Sequence, residues 1–230
     1  MKEFFTESVF FGVFISMIAY QIGVWMKKKF KMAIFNPLLV AIVLVILFLV
    51  GFDIDYEVYE QGAKYLSYFL TPATVALAIP LYEQIEPLKK NWKGIFAGIF
   101  AGAITSAVCV LVMSWLMGLT HEQYVTLLPK SITTAIGMGL SEELGGIVTI
   151  TVAVIVITGV LGNVMAETVC RIFKITDPIA VGIGIGSSSH ALGTAKALEI
   201  GELEGAMSGL SVAISGLITV VVANVFANFY

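Results

Sequence analysis

Charge is scarce in this chain. Only 13% of its residues are charged while 58% are hydrophobic, and mean hydropathy is +0.96, far from the roughly 25% charged usage of a soluble domain. The net charge of −3 provides none of the basic surface that nucleic acid requires. Histidine is almost missing, with two in the chain, too few for a His-rich zinc site. No HExxH, GxSxG, P-loop or CxxC pattern occurs, so an enzyme is not expected, nor a metal or cofactor. The two cysteines, Cys109 and Cys170, sit inside or at the edge of apolar runs and read as reduced packing residues.

What fills the chain is apolar runs near the roughly 20 residues that span a bilayer. They cover about 5–26, 33–51, 65–82, 94–117, 145–168, 178–198 and 206–229, with a shorter one at 127–140. The first run is followed, not preceded, by its basic cluster and lacks a small-residue cleavage site, which argues against a cleavable signal. Basic residues cluster at Lys27, Lys28, Lys29 and Lys31, at Lys89, Lys90 and Lys93, and at Arg171 and Lys174. Placing all three clusters in the cytoplasm puts the N-terminus outside, makes 127–140 re-entrant from the outside, and leaves the C-terminus cytoplasmic.

The fold class expected is an all-α polytopic membrane protein of about seven transmembrane helices plus a re-entrant segment, with inverted repeats and broken helices. Residues 1–32 form a first span and a basic loop, 33–118 a first repeat, and 119–230 the re-entrant segment and second repeat. Thr74–Leu81 can be laid over Gly193–Ile200, and each precedes a helix with small residues at four-residue spacing: Gly94, Gly98, Gly102 and Gly205, Gly209, Ala213. Such stripes let helices approach closely.

Polar groups stand out against this background. Gly182–Lys196 (GIGIGSSSHALGTAK) interrupts an apolar run, and lipid tolerates a freed backbone only where protein or water receives it. Pro72 and Pro80 interrupt the matching run beside Thr71 and Thr74. Paired interruptions of this kind point to a binding site in transporters. Candidate substrate-binding residues are therefore Pro129, Lys130, Ser131, Thr133 and Thr134 at the start of the short segment, Thr71 and Thr74, and Ser188, Ser189, His190, Gly193 and Thr194. Proline at a helix start leaves unpaired N–H groups that suit an anion. Glu142 and Glu143 either occupy a solvated turn or face a cavity as a coupling or proton-relay pair, and His190 is a further relay candidate. Lys196 reads as a snorkelling residue, and Asn163 as a helix bridge or minor site residue.

The runs PKSITTAIGMGLSEELGG, ITGVLGN and SHALGTAKALEIGELEGAMSGL, with the Arg171–Asp177 joint, resemble the LrgB/CidB family most closely over residues 125–215. The resemblance implies a bacterial inner-membrane protein that works beside a small LrgA/CidA-type membrane partner. It also implies an antiholin-like role, modulating murein hydrolase export and cell lysis, or transport of small monocarboxylates such as pyruvate, glycolate, glycerate or lactate. By motif it assigns Pro129, Lys130, Ser131, Thr133, Thr134, Glu142, Gly146, His190, Gly193 and Thr194 to the functional core. Ala135 departs from the proline expected at its position. The reading favoured from sequence is a secondary carrier of small monocarboxylates coupled to H+ or Na+ and forming a homodimer. Antiholin-like modulation is the alternative, and a passive channel a third.

Overall fold

The computed structural model describes residues 10–30, 35–69, 72, 75–76 and 78–230, and every regular element among them is a helix. Two compact units divide the chain, 1–76 and 77–230. Thr71 and Thr74 lie outside the described residues, whereas Pro72 is described and exposed.

In the first unit α1 (Phe11–Phe30) packs on α2 (Pro37–Gly51) and α3 (Tyr56–Ser67). Asn36 caps α2, its Oδ1 accepting from the Leu38 and Leu39 amides with Pro37 at the first helical position, where a missing N–H costs nothing. Glycines set the spacing. A Cβ on Gly12 would overlap the α3 backbone at Tyr59 and Ala63, and one on Gly23 would overlap Pro37. Asp55 stands at the N-cap of α3 and Glu57 in its first turn, the end at which the helix dipole favours carboxylates.

The second unit contains α4 (Ala78–Glu83), α5 (Ile85–Met117), α6 (His121–Leu127), α7 (Thr134–Glu143), α8 (Val148–Ile172), α9 (Pro178–Ile200) and α10 (Glu202–Phe226), with a 3-10 turn at Ala227–Phe229. Among the described residues three helical stretches, Ile85–Met117, Val148–Ile172 and Glu202–Phe229, are long and apolar enough to cross a membrane. At 33 residues α5 is about 50 Å long, well beyond a hydrocarbon core of roughly 30 Å. Its buried positions Ile95, Ile99, Ala103, Ala107, Val110 and Ser114 recur every three or four residues and form one face.

α9 is not a rod. His190 has φ 43° and ψ −143°, and the chain reverses there. A Cβ on Gly193 would lie 2.9 Å from the Ile185 side chain and 3.1 Å from its carbonyl; in a continuous helix those residues stand about 12 Å apart. Val181 and Ala197 share one core cluster for the same reason. The arms 178–189 and 191–200 therefore lie side by side. α6 and α7 form a second hairpin: Gly137 faces the Pro129 carbonyl, and Thr126 and Ser141 both bond to Thr151.

The hairpins approach α5 from opposite ends. Ile183 and Ser187 of α9 lie against Gly98 and Gly102, while Tyr124, Leu128 and Ile132 pack with Ala107 and Val110. Their tips meet α5 near its middle, at Gly102 and Ser106. α10 starts beside the base of the α9 hairpin, where Glu204 meets Gly182. It ends beside α6, where Tyr124 donates to the Phe226 carbonyl. Tyr230 Oη donates to the carbonyls of Leu119 and Ser114, so the last residues stand at the end of α5 opposite Lys89, Lys90 and Lys93.

The glycine stripes do what the spacing implied at some positions only. Gly98 and Gly102 admit α9, and Gly205 admits Leu198, whereas Gly94 and Gly209 have nothing within 4 Å of a built Cβ. This contrast yields a test. A Cβ on Gly186 would overlap the Ser208 carbonyl, while one on Gly184 meets nothing within 4 Å. In detergent-solubilised protein Gly186→Ala is expected to lose about 1–3 kcal/mol by overpacking, with a lower Tm, and Gly184→Ala to melt as the parent does. Equal melting of the two variants would contradict the packing of α9 on α10.

Candidate functional site

At the tip of the first hairpin, residues 128–133 leave the helix and α7 restarts at Thr134 with Thr133 as N-cap. The Thr133 side chain makes no capping bond, so the first-turn amides behind it lack intrahelical acceptors. Lys130 Nζ donates to Ser131 Oγ at 2.9 Å, and Ser131 Oγ lies 3.2 Å from Ser106 Oγ of α5. Among the described residues no carboxylate is within ion-pair reach of Lys130.

From the other side α9 brings Ser187 and Ser188 to the same place. A cavity of about 600 Å3 opens between the tips, lined by Lys130, Ser131, Ser106, Thr105, Ser187 and Ser188 with small residues of α5 and α9. It thus holds one cation and five hydroxyls over a largely apolar floor. The Ser187 and Ser188 hydroxyls donate to the Ile183 and Gly184 carbonyls of their own helix, so the feature that suits an anion is the Lys130 ammonium among hydroxyls, its charge strengthened by low-dielectric walls.

The rest of the GSSSH motif turns away from this cavity and braces the break. His190 is 4% exposed, and its Nε2 lies 2.9 Å from the Ile155 carbonyl of α8. Gly159 and Gly162 make room, since a Cβ on either would overlap His190 or Ser189. Asn163 Nδ2 donates to the Leu192 carbonyl at 2.6 Å, tying α8 to the start of the returning arm. Thr194 Oγ1 donates to the His190 carbonyl at 3.1 Å and lies 2.9 Å from Ser208 Oγ of α10. Gly193 is buried between the arms.

The remaining candidates are placed separately. Pro129 is buried, Thr133 and Thr134 are half-buried, and Glu142 and Glu143 are exposed at the far end of α7. Lys196 is ion-paired: its Nζ lies 2.5 Å from Glu167 and 3.1 Å from Glu199. Sequence reasoning did not find the hydroxyl knot at the base of the first hairpin. There Thr126 Oγ1 accepts from the Ile147 amide and Thr151 Oγ1 bonds to Ser141 and to the Thr126 carbonyl. Gly146 belongs to the knot, because a Cβ there would fall 2.6 Å from Ser141 Oγ. The available signal was a set of isolated hydroxyls in apolar surroundings, a weaker mark than a GSSSH run.

Three relatives named "Antiholin-like protein LrgB", from Bacillus mycoides (strain KBAB4), Bacillus cereus (strain B4264) and Bacillus anthracis (strain CDC 684 / NRRL 3495), are each 40% identical over 225 residues, covering 97% of this chain and 98% of theirs. The model of the LrgB-like family matches residues 16–229. No solved structure matches.

The backbone at His190 gives a test. Its positive φ favours glycine, yet its ring makes a buried bond. His190→Ala loses the bond and leaves a cavity, and is expected to cost about 2–4 kcal/mol. His190→Gly loses the same contacts but relieves roughly 1 kcal/mol or more of strain. Thermal unfolding in detergent is expected to order them parent, glycine, alanine, and an alanine variant more stable than the glycine variant would contradict this account.

Proposed function

We propose that this chain, which belongs to the LrgB-like family, acts as an antiholin-like membrane protein that modulates murein hydrolase activity and cell lysis. It is a multi-pass, non-enzymatic membrane protein. The observation that carries the proposal is 40% identity along 97% of the chain to proteins bearing that name. A small LrgA/CidA-type membrane protein is the proposed partner, and a homodimer the proposed assembly. Deleting the encoding gene is expected to raise zymogram-detected murein hydrolase activity and speed detergent-induced autolysis, with recovery on complementation. Unchanged autolysis in the deletion strain would count against the proposal.

A second reading rests on the cavity between the hairpin tips. In it the chain carries small monocarboxylates such as pyruvate, glycolate, glycerate or lactate, coupled to H+ or Na+. Lys130, Ser131 and Ser188 would hold the carboxylate with Ser106 and Ser187. Thr133 and Thr134 would present helix-start amides, and His190, Gly193 and Thr194 would shape the break. Glu142 and Glu143 enter this reading as coupling carboxylates. Proteoliposomes are expected to show saturable pyruvate or glycolate uptake, with Lys130→Ala raising KM by roughly ten- to a hundredfold through loss of a charged hydrogen bond. Leakage of dye without saturable uptake would reject the carrier and favour a channel or lysis component.

The topology proposed follows the positive-inside rule. Lys89, Lys90 and Lys93 lie at one end of α5, and Arg171 and Lys174 end α8 beside the base of the α9 hairpin. Both clusters are placed in the cytoplasm. Helical arms of seven to twelve residues reach about 10–18 Å, well short of a roughly 30 Å core, so both hairpins are proposed to be re-entrant. The inverted repeat proposed is a hairpin followed by a crossing helix, 121–172 and 178–226, in place of the halves 33–118 and 119–230. The N-terminus stays outside, but a returning α9 removes one crossing, so the proposed C-terminus is outside as well, not cytoplasmic. Labelling a cysteine at Asn228 in intact cells with an impermeant maleimide is expected to succeed while one at Lys90 stays protected; the reverse pattern would invert the topology.

A further inference from the structure

A second cavity, of about 640 Å3, opens where the first turns of α5 meet the start of α9, and the function proposed above does not use it. Its rim carries Lys89, Lys90 and Lys93, and Ile95, Ile179 and Ile183 stand among its walls. Among the described residues none of the three lysines forms an ion pair. Asp177, the one carboxylate lining the cavity, is already engaged, its Oδ1 accepting from the Ala180 amide at 2.9 Å. Three ammonium groups against that carboxylate leave a lining charge of +2. Trp92 is 52% exposed at the same rim, with Lys93 Nζ 5.8 Å from its ring centroid, and such amphipathic rings favour the headgroup level of a bilayer.

We propose that this cavity binds the phosphodiester headgroup of an anionic phospholipid such as phosphatidylglycerol. The cationic rim takes the phosphate, and the isoleucine wall takes the glycerol and the first methylenes of the chains. A soluble anion would use the rim but gain nothing from the wall; a zwitterionic lipid would use the wall but bring its own cation to the lysines. Because one side of the cavity is α5 and the other is the first arm of the α9 hairpin, a bound lipid clips the arm to the long helix. The site adjoins the cavity at the hairpin tips, sharing Gly94, Ala180 and Ile183 with it, but Lys89, Lys90, Lys93 and Asp177 line it alone.

The test is native mass spectrometry of delipidated full-length protein titrated with phosphatidylglycerol or phosphatidylcholine, with inorganic phosphate as competitor. Phosphatidylglycerol is expected to be retained preferentially and to raise the Tm in detergent, with phosphate displacing it only weakly. At about 1 kcal/mol per lysine, each lysine contributes roughly fivefold to affinity, so K89Q/K90Q/K93Q is expected to lose the preference for phosphatidylglycerol. K89R/K90R/K93R, which keeps the charge, is expected to retain it. Equal retention of both lipids by the parent would overturn the proposal. So would full displacement by phosphate at matched concentration, which identifies a soluble-anion site, or a preference unchanged in the glutamine variant.

Discussion

Every reversal of the chain inside apolar surroundings frees backbone amides and carbonyls that hydrocarbon cannot satisfy. In the second unit polar side chains gather where the chain changes direction, and one of them, Thr126 Oγ1, accepts from the Ile147 amide between α7 and α8. At the α9 reversal α8 holds the tip in place: Asn163 bonds the Leu192 carbonyl, the His190 ring reaches the Ile155 carbonyl, and Gly159 and Gly162 leave room for the tip to close in. Thr194 and Ser208 then tie the returning arm to α10. At the base of the other hairpin the Thr126, Ser141 and Thr151 hydroxyls join α6, α7 and α8. These polar groups sit at the contacts where the helix direction changes.

That bracing frees other groups for a different use. Because the histidine and Thr194 are committed to the break, the surfaces left facing the space between the tips are Ser187 and Ser188 on one side and Lys130 and Ser131 on the other. Two hairpins approaching α5 from opposite ends leave a chamber at its middle with one cation and five hydroxyls in a largely apolar lining. Small residues at Gly98 and Gly102 are what let α9 come close enough for its serines to reach that chamber.

Much of this was legible in the sequence. Composition fixed the class, and the Gly/Ser/His run marked the α9 break because nothing else in an apolar stretch explains it. Pro129, Lys130 and the hydroxyls after it marked the other tip for the same reason. The direction of the chain after the break was not legible. A glycine-rich interruption permits a kinked crossing or a full reversal, and the choice rests on one residue, His190, in a backbone conformation that its identity does not advertise. The His190 role was hidden too: a histidine beside three serines suggests a ligand, but its partner is a main-chain carbonyl 35 residues away, which no local pattern encodes.

The claim on which the rest depends is the reversal at His190, and a distance measures it. Spin labels at Ala180→Cys and Ile200→Cys, with Cys109 and Cys170 replaced by serine, would be read by dipolar electron paramagnetic resonance in reconstituted membranes. Side-by-side arms put the two sites at a neighbouring-helix separation of about 10 Å. A continuous helix would hold them about 30 Å apart, and a distribution centred there would contradict the account.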